Sequence, residues 1–199
     1  MNKQLLHVLA VVALSVAGAR PAVAIEVKIS AKALERTLRA QLFNGPEGRY
    51  YMRGDPNSAC YVYAESPQVS FKDDRIIVHV HTRARLGQSV RGACIGVTLT
   101  READVSVVPE AQGESLGFRD ARIEKLSDSR ELNFFLVPFL SRKLPSEMKV
   151  NAADLMTKVL SQSTPATGYS LTLKTLKLHS MLVDHDALVV DIDAAMGVD

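Results

Sequence analysis

The chain has 199 residues, 23% of them charged, and a formal net charge of +2. This length suits one domain with a sizeable core. Lys3 and Arg20 precede residue 25, and without them the chain carries 22 basic and 22 acidic residues. This balance argues against nucleic-acid binding, which depends on clustered Lys and Arg that neutralise phosphates.

Residues 1–24 have the three-part pattern of a secretory signal peptide. A cationic residue precedes an apolar run over 5–17, and the small residues Ala-Val-Ala end at Ala24. We expect cleavage between Ala24 and Ile25, so that residues 25–199 form a single domain in the periplasm or outside the cell. An uncleaved anchor is the alternative, although the run is shorter than the roughly 20 residues of a transmembrane helix. No other segment of the chain is apolar enough to span a membrane.

The two cysteines of the chain, Cys60 and Cys94, follow the signal. In an exported protein such a pair predicts one disulfide. It would close a loop of roughly 35 residues and stabilise the fold by about 2–4 kcal/mol. A pair of free buried thiols is the alternative. Neither cysteine lies in a Cys-x-x-Cys motif or beside a histidine, which argues against a catalytic thiol.

The first predicted helix covers residues 31–43. Ser30 can cap its N-terminus, and Leu34, Leu38 and Leu42 lie on one face at spacings of four. The polar stretch that follows to Ser58 is rich in glycine, proline and asparagine and predicts an exposed loop.

From Cys60 the pattern has the period of two that is typical of strands. Short strands are predicted over 60–64 and 68–71, and the clearest strand, 76–86, alternates apolar residues with basic and histidine residues. Turns over 87–92 and 109–113 then separate the strands that start at Ala93 and Leu116. Adjacent hairpins of this kind predict an antiparallel meander.

Helical periodicity returns over residues 131–144 and 152–162. Pro138 should kink the first of these helices and Pro145 should end it. Leu155, Val159 and Leu160 are the predicted buried face of the second helix, and two strands follow over 169–178 and 188–196. The element order predicts an α+β fold, a long curved antiparallel sheet wrapped on amphipathic helices.

The elements of the chain are, in order, a leading amphipathic helix over 29–43, a meander of long strands, an apolar helical stretch over 132–160 and the closing strands from Thr175. In this order of its elements the chain resembles the tubular lipid-binding superfamily. That superfamily is related to bactericidal/permeability-increasing protein, and the chain looks most like its small single-unit periplasmic members. The resemblance implies a long curved sheet on helices, with an apolar groove that can hold acyl chains. It carries over no individual functional residue.

The function predicted from these features is binding of a lipid or other apolar molecule between sheet and helices. The alternative is a periplasmic scaffold or protein-interaction domain without a small ligand, whose apolar helix faces are only core. The residues predicted to line the ligand are apolar side chains of the helices and of the clearest strand: Leu34, Leu38, Leu42, Val78, Val80, Phe135, Phe139, Leu140, Leu155 and Val159.

His79 and His81 lie on one face of a predicted strand, as some metal sites require. Nothing in the sequence places a third ligand beside them, and a basic face that includes Arg75, Arg83 and Arg85 would repel a cation. The same basic face could meet lipid phosphates or an anionic polymer, or it could simply be solvated. We therefore predict neither a metal site nor a cofactor.

His185 lies between Asp184 and Asp186, where turn chemistry explains both aspartates. The sequence contains no Gly-x-Ser-x-Gly, His-Glu-x-x-His or phosphate-binding glycine loop. We therefore predict that the protein is not an enzyme. A hydrolase would need a carboxylate or a metal within bonding distance of His79, His81 or His185.

Overall fold

A computed structural model describes residues 23–198, with side chains for 25–162 and 168–198. The fold is α+β, as the sequence predicts, and its strands form two antiparallel sheets. The predicted signal peptide lies almost wholly outside the described residues. Its cleavage stays a prediction, and so does the single domain that it would leave.

The large sheet is a six-stranded curled meander in the order β2-β3-β4-β5-β6-β7. Because each strand pairs with its sequence neighbour, the predicted succession of hairpins is confirmed. Its strands are β2 Arg49–Arg53, β3 Tyr61–Lys72, β4 Arg75–Val90, β5 Ala93–Gln112, β6 Ser115–Lys125 and β7 Val150–Asn151.

The small sheet joins the beginning and the end of the described chain in the order β1-β9-β8. Its strands are β1 Val23–Ser30, β8 Leu171–Asp184 and β9 Ala187–Val198. Ile25 pairs with Ile192, and Ile29 pairs with Leu188. The predicted cleavage point between Ala24 and Ile25 therefore lies near the start of a paired strand.

The helices are α1 Ala31–Gln41, α2 Arg130–Pro138, α3 Leu144–Glu147 and α4 Ala152–Thr167. Ser30 caps α1 by accepting a hydrogen bond from the Ala33 amide, as predicted. Proline has no amide hydrogen to donate, and directly after Pro138 the helix continues as a π-helical turn, Phe139–Lys143. Pro145 does not end the helix, because it lies in the first turn of α3, where no amide donor is needed.

Two other local predictions are wrong. The stretch before Ser58 is not only a loop, because a 3₁₀ turn, Pro46–Gly48, leads into β2. The predicted turn over 87–92 is confined to Arg91 and Gly92, and β4 runs to Val90. Gly87 pairs directly with Gly96, and a Cβ at Gly87 would stand 2.1 Å from the Ile95 carbonyl oxygen. Because Gly87 and Gly96 lack a Cβ atom, β4 and β5 can approach closely at this pair, where the sequence predicted a turn.

The main core lies between the inner face of the large sheet and the helices. Alternate residues of β4 from Ile76 to Leu86 are buried, in agreement with the predicted face. Leu132, Leu136 and Leu140 cover this face from α2 and the π turn, and each is fully buried. Complete burial of such a side chain contributes about 1.5–3 kcal/mol, so this layer fixes α2 against the sheet.

The predicted disulfide is present between Cys60 and Cys94, whose Cα atoms are 5.1 Å apart. It joins the residue before β3 to the second residue of β5. Ile95 and Val97, which follow Cys94, are mostly exposed. The disulfide therefore ties an exposed part of the β4–β5 hairpin to the body of the large sheet.

Candidate functional site

A uniformly apolar groove of about 260 Å³, which we call the α4 groove, lies between α4 and the small sheet. The described side chains that line it are all aliphatic or thioether groups. They are Val27, Ile29, Leu116, Ala152, Leu155, Met156, Val159, Leu176, Val190 and Ile192.

One wall of this groove is α4, and a capping side chain determines where this helix begins. Asn151 caps the helix, since its Oδ1 accepts a hydrogen bond from the Asp154 amide at 3.0 Å. Leu155 and Val159 then share a face, but they are 51% and 61% exposed. The prediction that they are buried is wrong, whereas Leu160 is buried as predicted.

The small sheet supplies the floor of the α4 groove. Val190 and Ile192 come from β9, Leu176 comes from β8, and Val27 and Ile29 come from β1. None of these five residues is among those that the sequence predicts to line the ligand. Their alternation along the strands was the available signal, since residues two apart share one face of a sheet.

A narrow, mostly apolar cavity of about 40 Å³ lies between the α4 groove and α1. Ile29 and Leu116 line both spaces, and Leu34 and Leu38 of α1 line the narrow one. The apolar surface therefore extends from α4 to α1 across the end of β1.

A second groove, of about 780 Å³, lies between β2 and α2, and we call it the α2 groove. Its walls are largely aromatic: Phe139 stacks on Tyr50 with ring centroids 4.9 Å apart, and Phe134 meets Phe135 edge-to-face at 5.2 Å. Phe134 is 75% exposed. Such exposure is unusual for a phenylalanine and marks this groove as a surface feature.

Cationic side chains border the α2 groove. Arg130 and Lys143 line it, and the Arg53 guanidinium carbon lies 5.9 Å from the centroid of the Phe135 ring. Lys143 donates a hydrogen bond to Glu147 at 2.5 Å, which raises the pKa of the Lys143 ammonium. The groove therefore combines aromatic walls with a positively charged border.

The residues predicted to line a ligand site fall into two groups. Val78, Val80, Leu42 and Leu140 belong to the packed core. The others border a concavity, and of these Leu38 and Phe139 also belong to the core. Leu34 and Leu38 line the narrow cavity, Leu155 and Val159 the α4 groove, and Phe135 and Phe139 the α2 groove. Which of these residues contact a ligand stays a prediction.

Two of the histidines that were weighed as catalytic residues make hydrogen bonds to carboxylates. His79 Nδ1 contacts Asp104, and His185 Nδ1 lies 2.6 Å from Asp184 on a turn. Lys125 donates to Glu102, which lowers the pKa of that carboxyl group. The carboxylate that a hydrolase was predicted to need is therefore present beside His79 and His185. Such a pair orients an imidazole, and a triad-type hydrolase also needs a nucleophile beside it. That the protein is not an enzyme stays a prediction.

Within residues 23–198, no helix is long and apolar enough to cross a membrane. A comparison with protein families and another with curated proteins find no match. Among solved structures, the crystal structure of lipopolysaccharide binding protein is similar to this chain at 11% identity and a TM-score of 0.35. The similarity covers 89% of this chain and 51% of that one, so the chain spans about half the length of that protein.

Proposed function

We propose that this protein is an exported module that binds the acyl chain of a lipid, or a similarly elongated apolar molecule, in the α4 groove. The observation that carries the proposal is a groove lined by apolar side chains alone, with Leu155 and Val159 held partly exposed at its wall. Ligand sites are usually concave and predominantly apolar. The disulfide between Cys60 and Cys94 supports an exported location, because disulfides persist in oxidising compartments.

The chemistry of the lining favours a flexible aliphatic ligand. Among the side chains that the structure describes, no aromatic ring and no charged group lines the α4 groove, so these side chains offer no partner for a polar or ionised ligand group. Each methylene that moves from water into such a surface contributes about 0.8 kcal/mol. The small cavity on the other side of Ile29 and Leu116 holds too little space for a bulky ring.

A single-residue test places a charge inside the α4 groove. In Val159→Asp, a carboxylate would lie against the ligand and lose its hydration, so we expect oleate affinity to fall at least tenfold. Native mass spectrometry and displacement of a fluorescent fatty acid measure this affinity. The chain contains no tryptophan, so intrinsic tryptophan fluorescence is not an option.

Thr157→Asp is the matched control for Val159→Asp. Thr157 is exposed on α4 and does not line the groove, so this variant adds the same charge to the same helix. We expect it to bind oleate within twofold of the wild type. The proposal fails if wild-type protein takes up no fatty acid, or if both variants bind it as the wild type does.

A second candidate function is docking of a partner protein at the α2 groove. It is favoured by the exposure of Phe134 and by the cationic border, which would suit a segment that carries apolar and acidic side chains. Cross-linking in the periplasm distinguishes the two functions. A partner that is lost in Phe134→Asp and retained in Val159→Asp would support docking, whereas equal capture by both variants would oppose it.

A further inference from the structure

A cluster of imidazoles and carboxylates lies on the solvent-facing side of the large sheet. His79 and His81 are alternate residues of β4, so their side chains project from the same face. Their rings stand nearly perpendicular, with centroids 5.1 Å apart. This cluster is on the opposite face of β4 from the buried residues Val78 and Val80.

The register of β5 brings two carboxylates to these imidazoles. His81 pairs with Glu102, and His79 pairs with Asp104. The Oε1 atom of Glu102 lies 4.0 Å from Nδ1 of His81. One ligand atom from each of His79, His81 and Glu102 lies within 4.8 Å of the other two.

Asp104 orients one of the imidazoles. Its carboxylate contacts Nδ1 of His79, which favours the tautomer that carries its proton on Nδ1. The Nε2 lone pair of His79 then points away from Asp104 and is available to a metal ion. Histidines that bind a metal ion commonly donate the hydrogen of their other ring nitrogen to a carboxylate in this way.

We propose that His79, His81 and Glu102 bind a divalent transition-metal ion of the zinc class. Two histidines and one glutamate form a ligand set that holds zinc while leaving a fourth position for water. Atoms bound to tetrahedral zinc at about 2.1 Å lie roughly 3.4 Å apart. The three side chains are 25–46% exposed, so small rotations can close the remaining distance.

One of the arginines that would repel a cation is engaged elsewhere. Arg75 donates to Ser106 at 2.7 Å and forms an ion pair with Asp120 at 3.0 Å. Its positive charge is therefore partnered by a carboxylate outside the cluster.

Lys125 is the cation that opposes metal binding most directly. Its ammonium lies 2.7 Å from Oε2 of Glu102, while Oε1 of the same carboxylate faces His81. A bound ion and Lys125 would share this carboxylate through different oxygens. Removing Lys125 should therefore strengthen metal binding, an effect that a misfolded variant could not produce.

The experiment uses untagged protein freed of metal with a chelator. Isothermal titration measures Zn²⁺ binding, and the visible spectrum of added Co²⁺ reports tetrahedral coordination. We expect one ion per chain, at least tenfold weaker binding in His81→Asn and in Glu102→Gln, and about tenfold weaker binding in Asp104→Asn. We expect Lys125→Met to bind severalfold more tightly than the wild type.

His179→Asn is the matched control. His179 lies 2.5 Å from Asp193, so the two residues form another histidine–aspartate pair. Within residues 23–198, His179 belongs to no group of three side chains that could hold a metal ion. Its substitution should leave Zn²⁺ affinity within twofold of the wild type. The proposal is overturned if wild-type protein binds neither ion, if His81→Asn binds like the wild type, or if His179→Asn weakens binding equally.

Discussion

The α4 groove and the α2 groove are both apolar, but different parts of the molecule lie behind them. The floor of the α4 groove includes Val190 and Ile192, which are 1% and 6% exposed and belong to the hydrophobic core. The α2 groove reaches the core at Phe139, which is 3% exposed, but its α2 wall includes Phe134 and Val137, which project into solvent.

The α4 groove therefore has a floor of core side chains, whereas the α2 wall of the α2 groove consists of exposed ones. Core side chains are close-packed, so the floor of the α4 groove cannot change without a cost in stability. A ligand that binds there only in the folded state would stabilise the protein. Exposed side chains of the α2 groove can change with little effect on folding.

The largest expected effect concerns the floor of the α4 groove. Ile192→Ala should lower the free energy of unfolding by about 2–4 kcal/mol, because it removes buried methyl and methylene groups and leaves a cavity. Phe134→Ala in the α2 groove should change it by no more than about 0.5 kcal/mol. Urea unfolding followed by circular dichroism measures both values, and equal losses would contradict the distinction between the grooves.

A smaller effect is expected where α4 meets the proposed ligand. Leu155→Ala should weaken oleate binding about tenfold. Leu155 is 51% exposed, so roughly half of the about 2.4 kcal/mol that three fully buried methylenes would contribute is expected to be lost. Phe134→Ala and Thr157→Ala should bind within twofold of the wild type. Fluorescent fatty-acid displacement checks this, and a stronger loss in Phe134→Ala would move the ligand site to the α2 groove.

The smallest effect concerns charge at the α2 groove. The double variant Arg130→Gln/Lys143→Gln should bind the anionic aromatic dye anilinonaphthalene sulfonate up to about fivefold more weakly, as expected for exposed ion pairs. The difference should vanish near 1 M salt, where the Debye length is about 3 Å. Oleate binding should be unchanged, and a matching loss of oleate affinity would show that the grooves act as one site.

Local sequence patterns determined much of the fold. Alternation along β4 identified its buried face, Ser30 marked the start of α1, and Cys60 and Cys94 formed the expected disulfide. These features depend on neighbours in the sequence or on a single pair of residues, so composition and spacing were sufficient to predict them.

Tertiary structure decided which apolar faces are packed. Leu155 and Val159 have the helical spacing of a buried face, yet they stand at the open wall of the α4 groove. Periodicity shows which side chains share a face, but it does not show how closely another layer approaches that face. The division of the predicted lining residues between core and grooves followed from this packing.

Tertiary structure also decided which polar groups meet. The sequence identified His79 and His81 because they are neighbours on one strand, but it did not identify Glu102, which strand register places opposite His81. Register depends on the pairing of two long strands and on the turn at Arg91 and Gly92. A one-residue shift would move Glu102 to the other face of the sheet, so the cluster exists only in the folded register.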